Sequence, residues 1–324
     1  MSLQVRIEQH GGPEVMQLLD APELAPGPGE VRIAQQAIGL NFIDTYQRSG
    51  LYPIALPSGL GQEAAGVIAA VGAGVTQFRI GDRVAYAGGA PGAYAAQRTM
   101  PVDRLVQLPD GVPAEVAAAL LLKGMTAYYL LHQTVVIKAG DRLLVHAAAG
   151  GVGSVLVPWA KSLGAEVIGT VGSEQKAAHA QRYGCDTVII YGQQEVAAEV
   201  RRVTGGKGVD VVYDSVGKDT FAGSLDSLRP RGLLVSYGNA SGKPPAIDPG
   251  TLMQKGSLFL TRPMLAHYIA TRAELETAAA AFFQVIADGI VKPEIGQRYA
   301  LDEVQLAHRE LEARATRGAS VMLV

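Results

Sequence analysis

The sequence predicts an α/β protein in which a β-rich region leads into a doubly wound parallel sheet. Three observations carry that expectation. Short apolar runs broken by Gly and Pro fill residues 1 to about 120; strand-like and helix-like segments alternate from about 120 to 260; and a loop of small residues separates the first strand of that zone from its first helix. With 324 residues, the length favours two domains at about 150 residues each.

In the first zone, Val31-Arg32-Ile33-Ala34 and Gly66-Val67-Ile68-Ala69-Ala70-Val71 read as strands, and Gly81-Asp82 marks the turn into Arg83-Val84-Ala85-Tyr86. In the second zone, strands are expected at 142–146, 166–171, 187–191, 209–215, 232–235 and 257–260, and four of the five gaps are long enough for a helix. Val152, Leu156, Trp159 and Leu163 recur at helical spacing, with Pro158 expected to disturb a turn. The tail predicts helices over 271–288 and 302–315, the second opening at Asp302, then a strand over 320–324. Texture alone leaves open whether this tail packs on the first zone.

Composition narrows the function classes. A formal charge of −2 argues against a nucleic-acid binder, which tracks phosphates with excess Lys and Arg. The single cysteine, Cys185, excludes an intrachain disulfide and a thiolate metal cage, fits a reducing cytosol, and is expected to be inert in the core or at a helix end. Met1-Ser2-Leu3-Gln4-Val5-Arg6 is no signal peptide, and the apolar stretch 116–122 is far short of the roughly 20 residues that span a bilayer. A cytoplasmic protein without a membrane partner is expected.

The strongest motif is Val145-His146-Ala147-Ala148-Ala149-Gly150-Gly151-Val152-Gly153. The spacing Ala148-x-Gly150-x-x-Gly153 between a strand and a helix is a dinucleotide fingerprint: Gly150 admits a pyrophosphate, Gly153 admits the helix, and the helix N-terminus offers free N–H groups. Gly151 and Val152 complete the turn. Folds that prefer NAD carry an acid about 20 residues on, at the end of the second strand. Here Gly172 and Ser173 stand there, Lys176 follows one turn later, and Tyr191 comes from the third strand. This pattern favours NADPH. The competing reading makes Lys176 a solvated helix lysine and Glu174 the ribose acid.

Further motifs give the chain a family resemblance. Gly11-Gly12-Pro13-Glu14-Val15, Asn41-Phe42-Ile43-Asp44-Thr45-Tyr46, Gly61-Gln62-Glu63-Ala64-Ala65-Gly66, Leu122-Lys123-Gly124-Met125-Thr126-Ala127, Asp214-Ser215-Val216-Gly217 and Arg314-Ala315-Thr316-Arg317-Gly318 together resemble the zeta-crystallin-type quinone oxidoreductases of the medium-chain dehydrogenase/reductase superfamily. The resemblance implies a GroES-like catalytic domain from residues 1–122 and 261–324, with a Rossmann NADPH-binding domain at 123–260 inserted. It also implies a homodimer joined through the Rossmann domains, commonly at the last sheet strand.

Zinc members of that superfamily use Cys, His and Cys as catalytic ligands. Gln62 stands where their histidine falls, Asn41 lies in the first cysteine region, and no cysteine lies near Lys123. The structural-zinc lobe is missing too, since 86–94 holds no cysteine, and the six histidines show no paired ligand spacing. A metal-free enzyme is expected, with Glu63 a buried structural carboxylate. A quinone accepts reducing equivalents without a Lewis acid, so chemistry rests on placing the cofactor.

Asn41 and Tyr46 are candidates to line the nicotinamide pocket, with Tyr52 near its mouth; otherwise Asn41 caps a turn and the tyrosines only pack. Thr126 is expected to start the crossover helix on the nicotinamide side. Ser215, Tyr237, Gly238 and Asn239 end the fourth and fifth strands, where parallel sheets bind ligands. Leu260 and Arg262 are expected to follow the sixth strand, and the resemblance makes Arg317 a phosphate contact. The expected function is NADPH-dependent reduction of quinones. The alternatives are reduction of activated C=C bonds in enones or alkenals, or a non-catalytic NADPH-binding protein.

Overall fold

The structure, a computed structural model, describes residues 2–324. The chain divides into two compact units. The first holds the chain up to Met125 with Tyr268–Gln284 and Pro293–Val324; the second holds Thr126–His267 and Val285–Lys292.

The first unit is built around strand Glu30–Leu40. One edge of it pairs antiparallel with Glu63–Val71. The other edge is shared: residues 30–34 pair with Gln97–Pro101, and residues 37–40 pair with the C-terminal strand Ala319–Leu323. The tail is therefore a strand of the first zone's sheet, with Ile295–Ala300 outside it and Arg83–Ala87 on the far side of Glu63–Val71. Ile33, Ile38, Leu40, Ile68, Val84 and Met322 face inward and form the core. Strand alternation buries them, and each fully buried aliphatic side chain contributes about 1.5–3 kcal/mol.

The second unit has one parallel sheet in the order Thr187–Ile190, Glu166–Val171, Arg142–Val145, Val209–Asp214, Leu228–Ser236, Phe259–Thr261. In sequence order this is 3-2-1-4-5-6, the doubly wound dinucleotide topology. All five gaps hold a helix, not four; the shortest of the five, Pro249–Gln254, is introduced by Pro at its first position. Helix Gly153–Ser162 continues through Pro158. The hydrogen bond Pro158 cannot make would have gone to Ser154 in the first turn, and buried Val155, Leu156, Trp159 and Ala160 hold the helix on the sheet.

Several expected positions move. Thr126 does not start a helix: it lies near the end of Ala114–Tyr129. Gly124 lies inside that helix, and the ring of Phe282 occupies the space a Cβ there would need, 2.1 Å away. The apolar helical stretch Ala114–Thr134 has 21 residues, much longer than 116–122 and apolar enough to cross a membrane by composition, but 72% of its 18-residue apolar window is buried, as in a core helix. Leu260 lies inside the sixth strand rather than after it. That strand runs to Thr261, and Arg262 bonds back to the Ser236 and Gly238 carbonyls, so the chain stays with the second unit beyond residue 260. In the tail a 3-10 turn, Leu301–Glu303, precedes helix Val304–Glu312, and Glu303, not Asp302, accepts the Ala300 N–H.

Candidate active site

In the first unit, Asn41 stands at the N-cap of helix Phe42–Ser49. Its backbone N–H donates to Asp44 Oδ2 at 2.9 Å. Its side chain, however, is not spent on the cap. Asn41 Nδ2 donates to Glu63 Oε2 at 2.8 Å, and Asn41 Oδ1 accepts from Lys123 Nζ at 2.7 Å. Lys123 also lies 3.5 Å from Glu63 Oε2, and Glu63 Oε1 accepts the Leu122 N–H. Both ends of the Asn41 amide are thus fixed, and with them which end is donor and which acceptor. Glu63 is fully buried, as the sequence suggested, and burial pushes its carboxyl upward while Lys123, Asn41 and Leu122 pull it back.

Tyr46 lies one turn further along the helix and is nearly buried. It meets Tyr52 edge to face at 5.2 Å, and its carbonyl accepts the Tyr52 N–H. Gly50 ends the helix with φ +80°, which brings Tyr52 back beside Tyr46. Gln62 is buried beside Gly61, whose φ is +84° and whose Cβ would meet the Tyr94 ring at 2.1 Å.

A second buried chain continues from this helix and was not foreseen. Tyr94 Oη donates to Asp44 Oδ2 and meets His308 Nε2 at 3.0 Å; His308 Nδ1 faces Arg48 Nη1 at 2.9 Å; and Arg48 reaches the half-exposed Glu312 at 2.6 Å. Asp44 Oδ1 has no partner. Burial raises the Asp44 carboxyl to about 7, and burial together with the Arg48 charge lowers His308 to about 3, so His308 stays neutral. The segment Asn41–Tyr46 carries the signal for Asp44; its side-chain partner Tyr94 lies 50 residues away.

The second unit positions the small-residue loop at the end of strand Arg142–Val145. Ala147 takes φ +52°, Ala148 N–H reaches the Thr170 carbonyl, and helix Gly153–Ser162 begins directly afterwards. A Cβ on Gly153 would sit 2.3 Å from the Ala148 carbonyl oxygen, and one on Gly150 would sit 3.1 Å from that of Ala147. The residues present fit a dinucleotide: small where backbone must approach backbone, with free helix N–H groups at Gly151 and Val152.

At the end of the second strand, Gly172 faces open space and Ser173 caps helix Glu174–Tyr183 by accepting the Lys176 N–H. Lys176 is half-buried, and Glu174 is exposed at the first helical position. Tyr191 follows the third strand, but its hydroxyl turns inward. It lies 2.7 Å from His146 Nδ1 and 2.5 Å from Thr170 Oγ, and its ring stacks on the imidazole.

Ser215 follows the fourth strand, and its carbonyl lies where a Cβ on Gly238 would be, 2.3 Å away. Tyr237 and Gly238 N–H groups both reach the Asp214 carbonyl, and Asn239 is buried next to them. These residues gather at the carboxyl end of the sheet, where the strand order reverses between Arg142–Val145 and Val209–Asp214. Arg317 belongs to the first unit, exposed on the loop before the last strand. Cys185 is buried just beyond a helix end, and burial raises its thiol to about 12, which fits an inert residue.

Comparison with known proteins matches two parts of the chain to two families. The alcohol dehydrogenase GroES-like domain family matches residues 27–110, and the zinc-binding dehydrogenase family matches residues 151–282. A quinone oxidoreductase of Pseudomonas aeruginosa is 51% identical over the full length of both chains. The crystal structure of an Escherichia coli quinone oxidoreductase complexed with NADPH superposes with a TM-score of 0.97 at 48% identity, covering 99% of this chain and 100% of that one. A 2-haloacrylate reductase of Burkholderia is 45% identical, over 98% of this chain and 97% of its own length.

Proposed function

This chain belongs to the quinone oxidoreductases of the medium-chain dehydrogenase/reductase superfamily, and from that premise we infer that it is an NADPH-dependent reductase of quinones. The full-length likeness to a quinone oxidoreductase that binds NADPH carries the reading. NADPH, when bound, supplies the reducing equivalents from its nicotinamide. The chain's own residues bind and orient. The small-residue loop receives the pyrophosphate at Gly150, Gly151 and Val152. Gly172 and Ser173 leave room for the 2′-phosphate, and Lys176 gives it a counter-charge. In the second unit, Ser215, Tyr237, Gly238, Asn239, Leu260, Arg262 and Thr126 are the residues offered to the nicotinamide half of the cofactor; in the first unit, Asn41, Tyr46 and Tyr52 are the residues offered to the nicotinamide and the substrate, and Arg317 is offered to a phosphate.

The reading is zinc-independent. Gln62, Asn41 and Lys123 replace nitrogen and sulfur ligands, and the ammonium of Lys123 already supplies the positive charge beside Glu63 and Asn41. A cytoplasmic homodimer completes it. The sixth strand pairs on one side only among the described residues, and Phe259 on it is 61% exposed.

One observation favours a second reading. One relative is named a 2-haloacrylate reductase; an acrylate carries a C=C bond conjugated with a carboxylate, and hydride addition to such a bond needs no metal either. A panel of benzoquinones, naphthoquinones, alkenals and haloacrylates, each with NADPH and NADH, separates the two. Turnover confined to activated alkenes would replace the quinone assignment, and binding without any turnover would leave only a binding protein.

A further inference from the structure

Beneath Tyr191 lies a buried chain of hydrogen bonds whose proton order can be worked out from one end. Asp214 is fully buried and accepts from the Val216 and Gly217 N–H groups, from Thr220 Oγ and from Ser224 Oγ at 2.7 Å. The Ser224 proton is therefore spent on Asp214. Ser224 Oγ then accepts from His146 Nε2 at 2.9 Å, so Nε2 carries a hydrogen. His146 is buried, and burial keeps the imidazole neutral against the pull of Asp214. A neutral ring protonated at Nε2 has one lone pair left, on Nδ1. Two hydroxyls converge on it: Tyr191 at 2.7 Å and Thr170 at 2.9 Å, themselves 2.5 Å apart.

One lone pair accepts one strong hydrogen bond. There are two ways to fill it. Either Tyr191 donates to Nδ1 and Thr170 donates to Tyr191, or Thr170 donates to Nδ1 and the Tyr191 proton is released to point elsewhere. No covalent bond changes, and each hydroxyl keeps its own proton.

We propose that Thr170 is a specificity-determining residue that acts through Tyr191: by taking over the bond to His146 Nδ1, it lets the Tyr191 hydroxyl donate to the 2′-phosphate of NADPH. NADH carries no 2′-phosphate and draws nothing from the exchange. This inference rests on the NADPH reading above. Thr170 touches no ligand itself, because it is fully buried on the second strand.

The test is equilibrium binding to the purified protein, followed by fluorescence or calorimetry with NADPH, NADH, 2′,5′-ADP and 5′-AMP. In Thr170→Val, which keeps the shape and removes the donor, NADPH and 2′,5′-ADP are expected to weaken roughly 3- to 10-fold, the worth of about one hydrogen bond. NADH and 5′-AMP should stay within about twofold over the same scale. Thr170→Ser should restore the preference. Tyr191→Phe should lose the same selectivity, and Thr170→Val/Tyr191→Phe should be no worse than either alone. Equal weakening of NADPH and NADH in Thr170→Val, or an unchanged preference with a normal melting temperature, overturns the inference. A wild-type protein that binds NADH as tightly as NADPH overturns the cofactor reading and this inference with it.

Discussion

In the first unit the polar groups beneath Asn41 include an ion pair: Lys123 and Glu63 hold the amide from both ends, and a second pair, Arg48 with Glu312, is reached through Asp44, Tyr94 and His308. In the second unit the groups beneath Tyr191 are neutral until the chain reaches Asp214, which is satisfied by four donor groups. The two arrangements suit different tasks. Opposite charges in a buried site allow one arrangement of the amide, because reversing it places like partial charges against each ion. Neutral hydroxyls around a neutral imidazole allow two arrangements at similar energy, because each proton has an alternative acceptor. A fixed amide fits a nicotinamide pocket that works by placement, and an exchangeable hydroxyl fits a site that admits an extra phosphate.

The contrast breaks most sharply at Lys123. Lys123→Met leaves the Glu63 carboxylate buried without its counter-ion, and removing one partner of a buried pair costs about 3–5 kcal/mol. Thermal or urea unfolding should show that loss, and Lys123→Met/Glu63→Gln should recover most of it. Recovery of stability without recovery of quinone turnover would separate the fixing of Asn41 from the balance of charge. A single Lys123→Met variant as stable as wild type would remove the charged half of the comparison.

Next in size is Lys176. If its ammonium meets the 2′-phosphate, Lys176→Ala should weaken NADPH binding roughly 10- to 150-fold, the worth of a charge-assisted hydrogen bond. NADH should barely change. Because Lys176 is half-buried, the difference should shrink in high salt. Equal effects on both cofactors would give Lys176 a structural role and return attention to Glu174.

A smaller effect belongs to the neutral chain. Ser224→Ala leaves the His146 Nε2–H without its acceptor and takes one of several donors from Asp214. About 1–3 kcal/mol of stability should be lost, read as a lower melting temperature. No loss would mean that the ring takes the other tautomer, and the proton order argued from Asp214 would fall.

The smallest effect is the pH dependence of the first unit, because two groups oppose each other. The folded carboxyl of Asp44 is raised to about 7, facing Tyr94, Lys123 and Glu63. Its contribution is full below the ordinary carboxylate range and is lost as pH rises toward 7. His308 is lowered to about 3, facing Arg48 and Tyr94. Its contribution is full above about 6.5 and is lost as pH falls toward 3. Between those limits the slopes cancel in part. Asp44→Asn removes one slope, so its melting temperature should fall more steeply than wild type on acidification from pH 6.5 to 4. Parallel curves would contradict both shifts.

Much of the second unit is legible in the sequence because its signals are local. Strand 166–171 is placed to the residue, and the loop 147–153 shows its purpose in its own spacing. Thr126 falls near the end of its helix instead of at the start, and the sequence does not show that Gly124 inside that helix packs against Phe282, 158 residues later. The polar networks were the least legible. Asn41 reads as a cap or a pocket residue, and the sequence does not show that Lys123 and Glu63, 82 and 22 residues away, hold its amide. Thr170 lies in an apolar strand and carries no motif at all. His146 stands inside the strongest motif yet reads as structural, since its partners come from three other segments of the chain.

The most direct measurement is oxidation of NADPH by the purified protein in the presence of p-benzoquinone or a naphthoquinone, with a strong chelator added and metal content determined on the same sample. Sustained quinone-dependent NADPH oxidation, slower with NADH and unchanged by the chelator, is the expected result. Absence of quinone turnover, or activity that disappears together with about one zinc per chain, would contradict a metal-free NADPH-dependent quinone reductase.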